Sequence, residues 1–192
     1  MLYIYDGSFD GVMTAVFEIF DFKDKSAMIQ PETQSENMSF YERHRVITDF
    51  RRSFRVQAGL EKLGKGVPER MYTAWLSHSE GIEDLMLAAV RLGFKYRVNP
   101  FTLLQDERVH ALDGIAKKVG SEAHRMLQFV RFVKLGDELY AADIKPEYDV
   151  LPMIGNHFHK RFPQSRFMIR DLTHLRAIIS SPNGWEITSI QS

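Results

Sequence analysis

Two histidines and two acids in the C-terminal half are the candidates for acid–base chemistry. His124 follows Glu122 near the end of a long predicted helix, and His157 lies on the helix predicted to begin at Asp149. An imidazole titrates near a pKa of about 6.5, so either histidine can move a proton near neutral pH when a carboxylate orients it. The alternative, which the spacing leaves open, is that these are structural histidines with satisfied hydrogen bonds.

A predicted β-hairpin supplies a candidate anion site. Its turn is predicted at Gly136-Asp137, a register that pairs Val133 with Tyr140 and Arg131 with Ala142. Arg131 would then lie among apolar and aromatic neighbours, where a guanidinium needs an acceptor. The acceptor could be a phosphate or a nucleobase, or simply an internal carboxylate.

Further cations lie nearby in the sequence. His157 and Arg161 are four residues apart on one helix, so they are neighbours on its surface, and Arg125 directly follows His124. Such a patch can hold phosphates, although a solvated basic face has the same pattern. We therefore predict nucleic-acid contacts from Arg125, Arg131, His157 and Arg161.

A second basic cluster carries aromatic residues. Arg43-His44-Arg45 and Arg51 to Arg55 alternate with Phe50 and Phe54. Guanidinium groups beside exposed rings suit single-stranded nucleic acid. An amphipathic helix with a basic outer face would have the same sequence.

Several chemistries are excluded or disfavoured by the residues. The chain has no cysteine, which excludes disulfides, thiolate metal sites, iron–sulfur ligation and cysteine nucleophiles. None of the histidines has convincing metal-ligand spacing. The Gly59 to Gly66 stretch resembles a P-loop, but it follows a predicted helix and ends without the required hydroxyl. We expect neither a bound metal nor a cofactor.

Charge is balanced overall but unevenly distributed. Net charge is zero, which argues against a generic polyanion binder. Residues 1–39 carry seven acids and two bases, whereas residues 40–192 carry eighteen acids and twenty-three bases. The N-terminus has no basic region typical of a signal peptide, and acids interrupt the most apolar stretch. We expect a cytoplasmic protein without a membrane contact.

The periodicity of apolar residues predicts an α+β fold. A mostly helical layer from the N-terminal half would pack with a strand-rich C-terminal half containing the hairpin, the His157 helix and further strands. Ser8 and Asp49 are predicted helix caps, Val46 to Thr48 a strand end, and Gly93 a helix stop. We expect residues 1–192 to form a single globular unit, with a candidate internal boundary near residues 97–106.

Five groups of residues resemble one bacterial family, known as "probable DNA metabolism protein". The resemblance covers about residues 2 to 171. The matching groups are Tyr5-Asp6-Gly7 with Phe17-Glu18, Gly81 to Leu85 with Arg91 to Phe94, Gly120 to Met126 running into Phe129 to Phe132, Lys145 to Pro152, and His157-Phe158 with Arg161 to Pro163.

The resemblance implies work on DNA. The family is linked to a radical SAM protein of DNA modification or repair, and related domains are fused to uracil-DNA-glycosylase-like domains. The implied partners are DNA, single- or double-stranded, and a radical SAM iron–sulfur protein. An accessory or DNA-binding role is our first hypothesis. The alternatives are an enzyme acting on a nucleobase or nucleotide by His and carboxylate chemistry, and a protein-interaction scaffold without DNA contact.

Overall fold

The protein has the α+β fold that the sequence predicts. A computed structural model describes residues 1–37 and 41–190. Within these residues the strands are β1 (Leu2–Tyr5), β2 (Met28–Pro31), β3 (Arg43–Arg45), β4 (Val133–Gly136), β5 (Leu139–Ile144), β6 (Arg166–Asp171), β7 (Arg176–Ser181) and β8 (Gly184–Ser189). The helices are α1 (Phe9–Asp21), α2 (Phe50–Leu63), α3 (Val67–Trp75), α4 (Ile82–Tyr96), α5 (Glu107–Phe129) and α6 (Leu151–Arg161), with 3₁₀ turns at Glu32–Asn37 and Pro100–Thr102.

The described residues group into two compact units. Unit 1 contains Met1–Trp75 and Ser79–Ala116, and unit 2 contains Leu76–His78 and the chain from Lys117 onward. The division therefore falls inside α5, C-terminal to the predicted boundary region near residues 97–106. The single globular unit expected from the sequence stays a prediction.

Unit 1 is built on a small parallel sheet with the order β2-β1-β3. Helix α1 connects β1 to β2, and its start is fixed by Ser8, whose Oγ accepts a hydrogen bond from the Gly11 N–H at 2.9 Å. Asp49 caps α2 in the same way, so both predicted caps are confirmed. The strand end predicted at Val46 to Thr48 was misplaced: β3 ends at Arg45, although the Val46 N–H still donates to the Ile4 carbonyl at 2.8 Å.

Gly93 does not stop a helix, contrary to the prediction. Helix α4 continues to Tyr96 and ends at Arg97, which adopts a left-handed φ of 55°. A Cβ on Gly93 would lie 3.1 Å from Leu63 Cδ1 and 3.2 Å from Pro100 Cδ. The glycine is therefore needed for close packing against its neighbours and not for a turn.

Tyr5 lies in a buried polar group at the end of β1. Its hydroxyl donates to Glu83 Oε1 at 2.7 Å and accepts from Trp75 Nε1 at 3.3 Å. Tyr5 is 2% exposed and Glu83 is 6% exposed. Burial, and then the Glu83 carboxylate, raise the pKa of the Tyr5 hydroxyl, because both disfavour a phenolate there.

We expect Tyr5 to make the protein less stable at alkaline pH. Above about pH 10 the unfolded chain releases this proton while the folded chain keeps it, so stability falls by up to about 1.4 kcal/mol per pH unit. Tyr5→Phe should remove this part of the slope when unfolding is followed between about pH 8 and pH 11. Tyr41→Phe, at a 48% exposed site, is the control. Equal alkaline slopes in wild type and Tyr5→Phe would contradict the assignment.

Unit 2 contains a mixed five-stranded sheet with the order β4-β5-β6-β7-β8. Strands β5 and β6 are parallel and are joined through α6, whereas the other neighbouring pairs are antiparallel. Helix α6 packs closely on the sheet at Gly155, where a Cβ would lie 2.3 Å from the Trp185 ring. The His157 helix and the C-terminal strands predicted from the sequence are therefore present.

The register of the predicted hairpin was wrong. The turn lies at Asp137-Glu138, with Glu138 at a φ of 57°, and Val133 pairs with Ala141. An irregularity between Lys134 and Gly136 adds one residue to β4, which changes the faces on which the side chains point.

Arg131 is consequently not paired with Ala142. Helix α5 continues to Phe129, and β4 begins only at Val133. The segment between them is held by Phe132, whose ring lies 5.2 to 5.6 Å from three other phenylalanine rings. Arg131 is exposed and needs no buried acceptor.

Candidate nucleic-acid interface

A surface groove of about 920 Å³ lies along the C-terminal part of α5 in unit 2. We call it the α5 groove. Its lining residues are Lys117, Lys118, Gly120, Ser121, His124, Arg125, Glu147 and Tyr148. The groove thus brings together two of the predicted site residues, His124 and Arg125.

The helical repeat explains how α5 forms one wall. Lys117, Ser121 and His124 follow one another at spacings of four and three residues, which places them on one face. His124 Nε2 lies 2.9 Å from Gln128 Nε2, one turn further along. The amide therefore orients the imidazole at the end of the groove.

Glu122 holds the other wall of the groove in place. Its buried carboxylate accepts the backbone N–H of Glu147 at 3.0 Å and that of Tyr148 at 2.8 Å. Arg125 Nη2 lies 3.7 Å from the same carboxylate. Both oxygens of Glu122 are thereby engaged, so this residue ties a loop to α5 and also helps to position Arg125.

Asp149 is engaged in a separate charged contact. The residue is 2% exposed, and its Oδ2 accepts a hydrogen bond from Arg176 Nη1. His78 Nε2 lies 3.7 Å from the same oxygen, while the Asp149 N–H donates to the Leu76 carbonyl at 3.2 Å. Asp149 Oδ1 is buried without a hydrogen-bond partner among the described residues.

The predicted acid–base pairs are not brought together. Among the described contacts, Glu122 does not touch His124, and Asp149 does not touch His157. His157 is exposed on α6, with a ring contact to Phe158 at 5.3 Å. The roles of these residues as catalytic groups stay predictions, and neither histidine has a carboxylate that orients it.

Arg131 and Arg161 lie at another part of unit 2. Each directly precedes an aromatic residue, Phe132 or Phe162, and those two rings are 5.2 Å apart. The Arg161 guanidinium lies 5.8 Å from the Phe162 ring. No described contact connects these arginines to the α5 groove, so the predicted nucleic-acid residues fall into two places.

Sequence reasoning missed Lys117, Lys118 and Tyr148. The two lysines could have been found from their spacing to Ser121, His124 and Arg125 on the predicted long helix. Tyr148 carried no such signal, because the Glu122 hydrogen bonds that bring its loop to α5 join residues far apart in sequence.

The fold and the groove define an α+β protein with a cationic surface groove on its longest helix. Residues 80–190 match a family model described as Domain of unknown function (DUF4130), which covers more than half of the chain. The protein belongs to this family. No curated protein matches the chain.

Two searches of the described residues concern membranes and metals. Across residues 1–37 and 41–190, no helix combines the length and apolar character needed to cross a membrane. Over the same residues, no group of three or more His, Asp or Glu side chains is arranged to hold a metal ion.

Proposed function

We propose that the protein binds DNA through the α5 groove, as an accessory protein in DNA repair or modification. The observation that carries this proposal is the charge of the groove lining. Lys117, Lys118 and Arg125 are permanently charged and His124 is titratable, whereas Glu147 is the one acid among the lining residues. Phosphate groups bind to such surfaces by releasing condensed counterions.

Gly120 gives a second line of support. It lies inside α5, where glycine costs about 0.5–1 kcal/mol relative to alanine. A Cβ at this position would meet no heavy atom within 4 Å, so packing does not require the glycine. A bare backbone in the floor of the groove allows a sugar–phosphate chain to come close to the helix.

The bound state would rely on phosphate contacts. Lysine ammonium groups act as mobile point charges, and the Arg125 guanidinium can bind one phosphate with two parallel hydrogen bonds. Glu122 limits the directions in which Arg125 can point. This arrangement reads no base edges, so we expect little sequence specificity from the groove itself.

The resemblance described above adds a partner to the proposal. We propose that the protein acts with a radical SAM iron–sulfur protein, the second chain performing the chemistry on DNA. Co-purification of the two chains at low salt would support this part. If they co-purify but DNA does not bind, the scaffold hypothesis replaces DNA binding.

Removing three cations of the groove should weaken DNA binding. We expect Lys117→Ala/Lys118→Ala/Arg125→Ala to lower the affinity by roughly 10- to 100-fold at low salt. The slope of log K against log salt should become less negative by about 2 to 3 for duplex DNA, because each phosphate contact contributes about 0.9. Fluorescence anisotropy with labelled single- and double-stranded DNA, at low and at physiological salt, measures both quantities.

A matched control separates the groove from net charge. Lys62→Ala/Lys65→Ala/Lys95→Ala removes the same three charges from exposed positions in unit 1. This variant should keep the wild-type slope. Equal loss of affinity in both triple variants would assign binding to overall charge and reject the groove.

The same titration tests the second predicted patch. Arg131→Ala/Arg161→Ala removes two exposed cations that lie away from the groove. A reduced slope would add them to the DNA contact surface. Unchanged folding and unchanged affinity would remove them from it.

A further inference from the structure

An apolar row on the outer side of α2 is left uncovered. Ile47 is 82% exposed, Phe50 is 72% exposed and Phe54 is 70% exposed, the highest values for large apolar side chains among the described residues. Phe50 and Phe54 are four residues apart, so their rings are neighbours on one side of the helix. The opposite side already supplies the core through Val56 and Leu60. The phenylalanine row therefore contributes little to folding.

A row of guanidinium groups runs beside the rings. Arg51 and Arg55 are also four residues apart, and both are exposed. The Arg55 guanidinium lies 4.8 Å from the Phe17 ring, which fixes its position without neutralising its charge. Arg45, whose side chain is 77% exposed, adds a third cation at the same groove.

The acids of this region are already engaged. Glu18 accepts a hydrogen bond from Arg52 Nη1 at 2.5 Å, and its other oxygen lies 2.8 Å from His44 Nε2. Asp49 accepts the backbone N–H of Arg51 at 2.8 Å as the helix cap. With these carboxylates occupied, the exposed cations beside the rings face solvent with an excess of positive charge.

We propose that this surface, the α2 platform formed by Ile47, Phe50, Arg51, Phe54 and Arg55, binds single-stranded nucleic acid. Bases stack on the two phenylalanine rings, and phosphates contact the two arginines. The rings are about 6 Å apart along the helix axis, so the two rows run side by side for one turn. A duplex hides the faces of its bases, so the platform selects unpaired strands. This proposal uses a surface of unit 1 and base stacking, and it is independent of phosphate binding by the α5 groove.

The test uses a short single-stranded oligonucleotide that contains 2-aminopurine, whose fluorescence falls when the base stacks. The full-length wild-type protein should quench it on binding. Phe50→Ala/Phe54→Ala should lower the affinity by roughly 10- to 100-fold, since each stacked base contributes about 1–3 kcal/mol. The salt slope should stay as in the wild type, because no phosphate contact is removed.

Two sets of variants control for side effects. Phe50→Tyr/Phe54→Tyr keeps both rings and should retain binding and quenching. Phe129→Ala/Val133→Ala removes two side chains from unit 2 that are 62% and 63% exposed, and it should behave as wild type. The platform side chains are exposed, so circular dichroism and thermal unfolding of each variant should match those of the wild type.

An oligonucleotide with abasic sites gives the decisive comparison, because it keeps the phosphates and lacks the bases. The wild type should bind it as weakly as the double alanine variant binds the intact strand. Equal wild-type affinity for the two oligonucleotides, or equal affinity of wild type and Phe50→Ala/Phe54→Ala for the intact strand, would overturn the proposal and leave a protein partner as the occupant. The Lys117→Ala/Lys118→Ala/Arg125→Ala variant should still quench 2-aminopurine, so failure of the groove and failure of the platform are distinguishable.

Discussion

Replacing Glu122 by alanine should lower the free energy of unfolding by about 3 kcal/mol, because a hydrogen bond to a charged group contributes about 1.5–3 kcal/mol. The substitution removes the acceptor for two backbone N–H groups, those of Glu147 and Tyr148. Water can reach part of the freed loop, which keeps the loss below the sum of both hydrogen bonds. For a chain of this length the melting temperature should fall by roughly 6–12 °C.

Denaturant unfolding with two companion variants tests this expectation. Glu122→Gln keeps one carbonyl acceptor but presents an amide donor to the second backbone donor, so its loss should be smaller but still clear. Glu147→Ala removes an exposed carboxylate and keeps the backbone N–H, so it should change stability by less than about 0.5 kcal/mol. If Glu122→Ala were as stable as Glu147→Ala, the loop would not depend on Glu122.

Replacing Asp149 by alanine should cost a similar amount, about 3 kcal/mol, by a different cause. The substitution leaves the Arg176 guanidinium without its carboxylate. Loss of one partner from a fully buried pair costs about 3–5 kcal/mol. The Arg176 side chain is 36% exposed and can be partly hydrated, so the lower end of that range applies.

A double-mutant cycle separates the pair from other effects of Asp149. Arg176→Met keeps much of the aliphatic side chain and removes the charge. The double variant Asp149→Ala/Arg176→Met should be more stable than the sum of the two single changes predicts, because no charge is then left unpaired. Strictly additive losses would show that the ion pair is not the reason for the cost.

These two expectations bear on the acid–base hypothesis. Glu122 and Asp149 were attractive as catalytic acids because of their position near histidines in the sequence. Their described contacts are to a backbone loop and to an arginine, which are structural uses of a buried carboxylate. Loss of function in either variant would therefore have to be measured at a temperature where the variant is folded.

Local sequence rules predicted much of the fold. The caps Ser8 and Asp49 satisfy backbone N–H groups within a few residues of themselves, so their roles are readable from the sequence alone. The long helix α5 and the His157 helix α6 were also predicted, because apolar side chains recur at helical spacing in both. In the candidate site, His124 and Arg125 were recognised on the same basis.

Features that depend on distant residues were not predictable. The hairpin register depends on a left-handed residue at Glu138 and an extra residue in β4, neither of which has a sequence signal. Gly93 resembles a helix stop but serves contacts with Leu63 and Pro100. The loop wall of the α5 groove forms through Glu122, and nothing near Tyr148 in the sequence announces that contact.

The short segment Leu76–His78 imposes an order on the assembly of unit 2. The ribosome releases these three residues before α4 and before α5, yet they pack with the chain that follows Lys117. Asp149 receives its backbone acceptor from Leu76, so unit 2 is complete only when the intervening stretch has closed into a loop. The entropic cost of that closure grows slowly with loop length, so the long excursion is tolerable. A fragment trimmed to residues 80–190, the span of the family match, begins downstream of this segment and lacks one wall around Asp149.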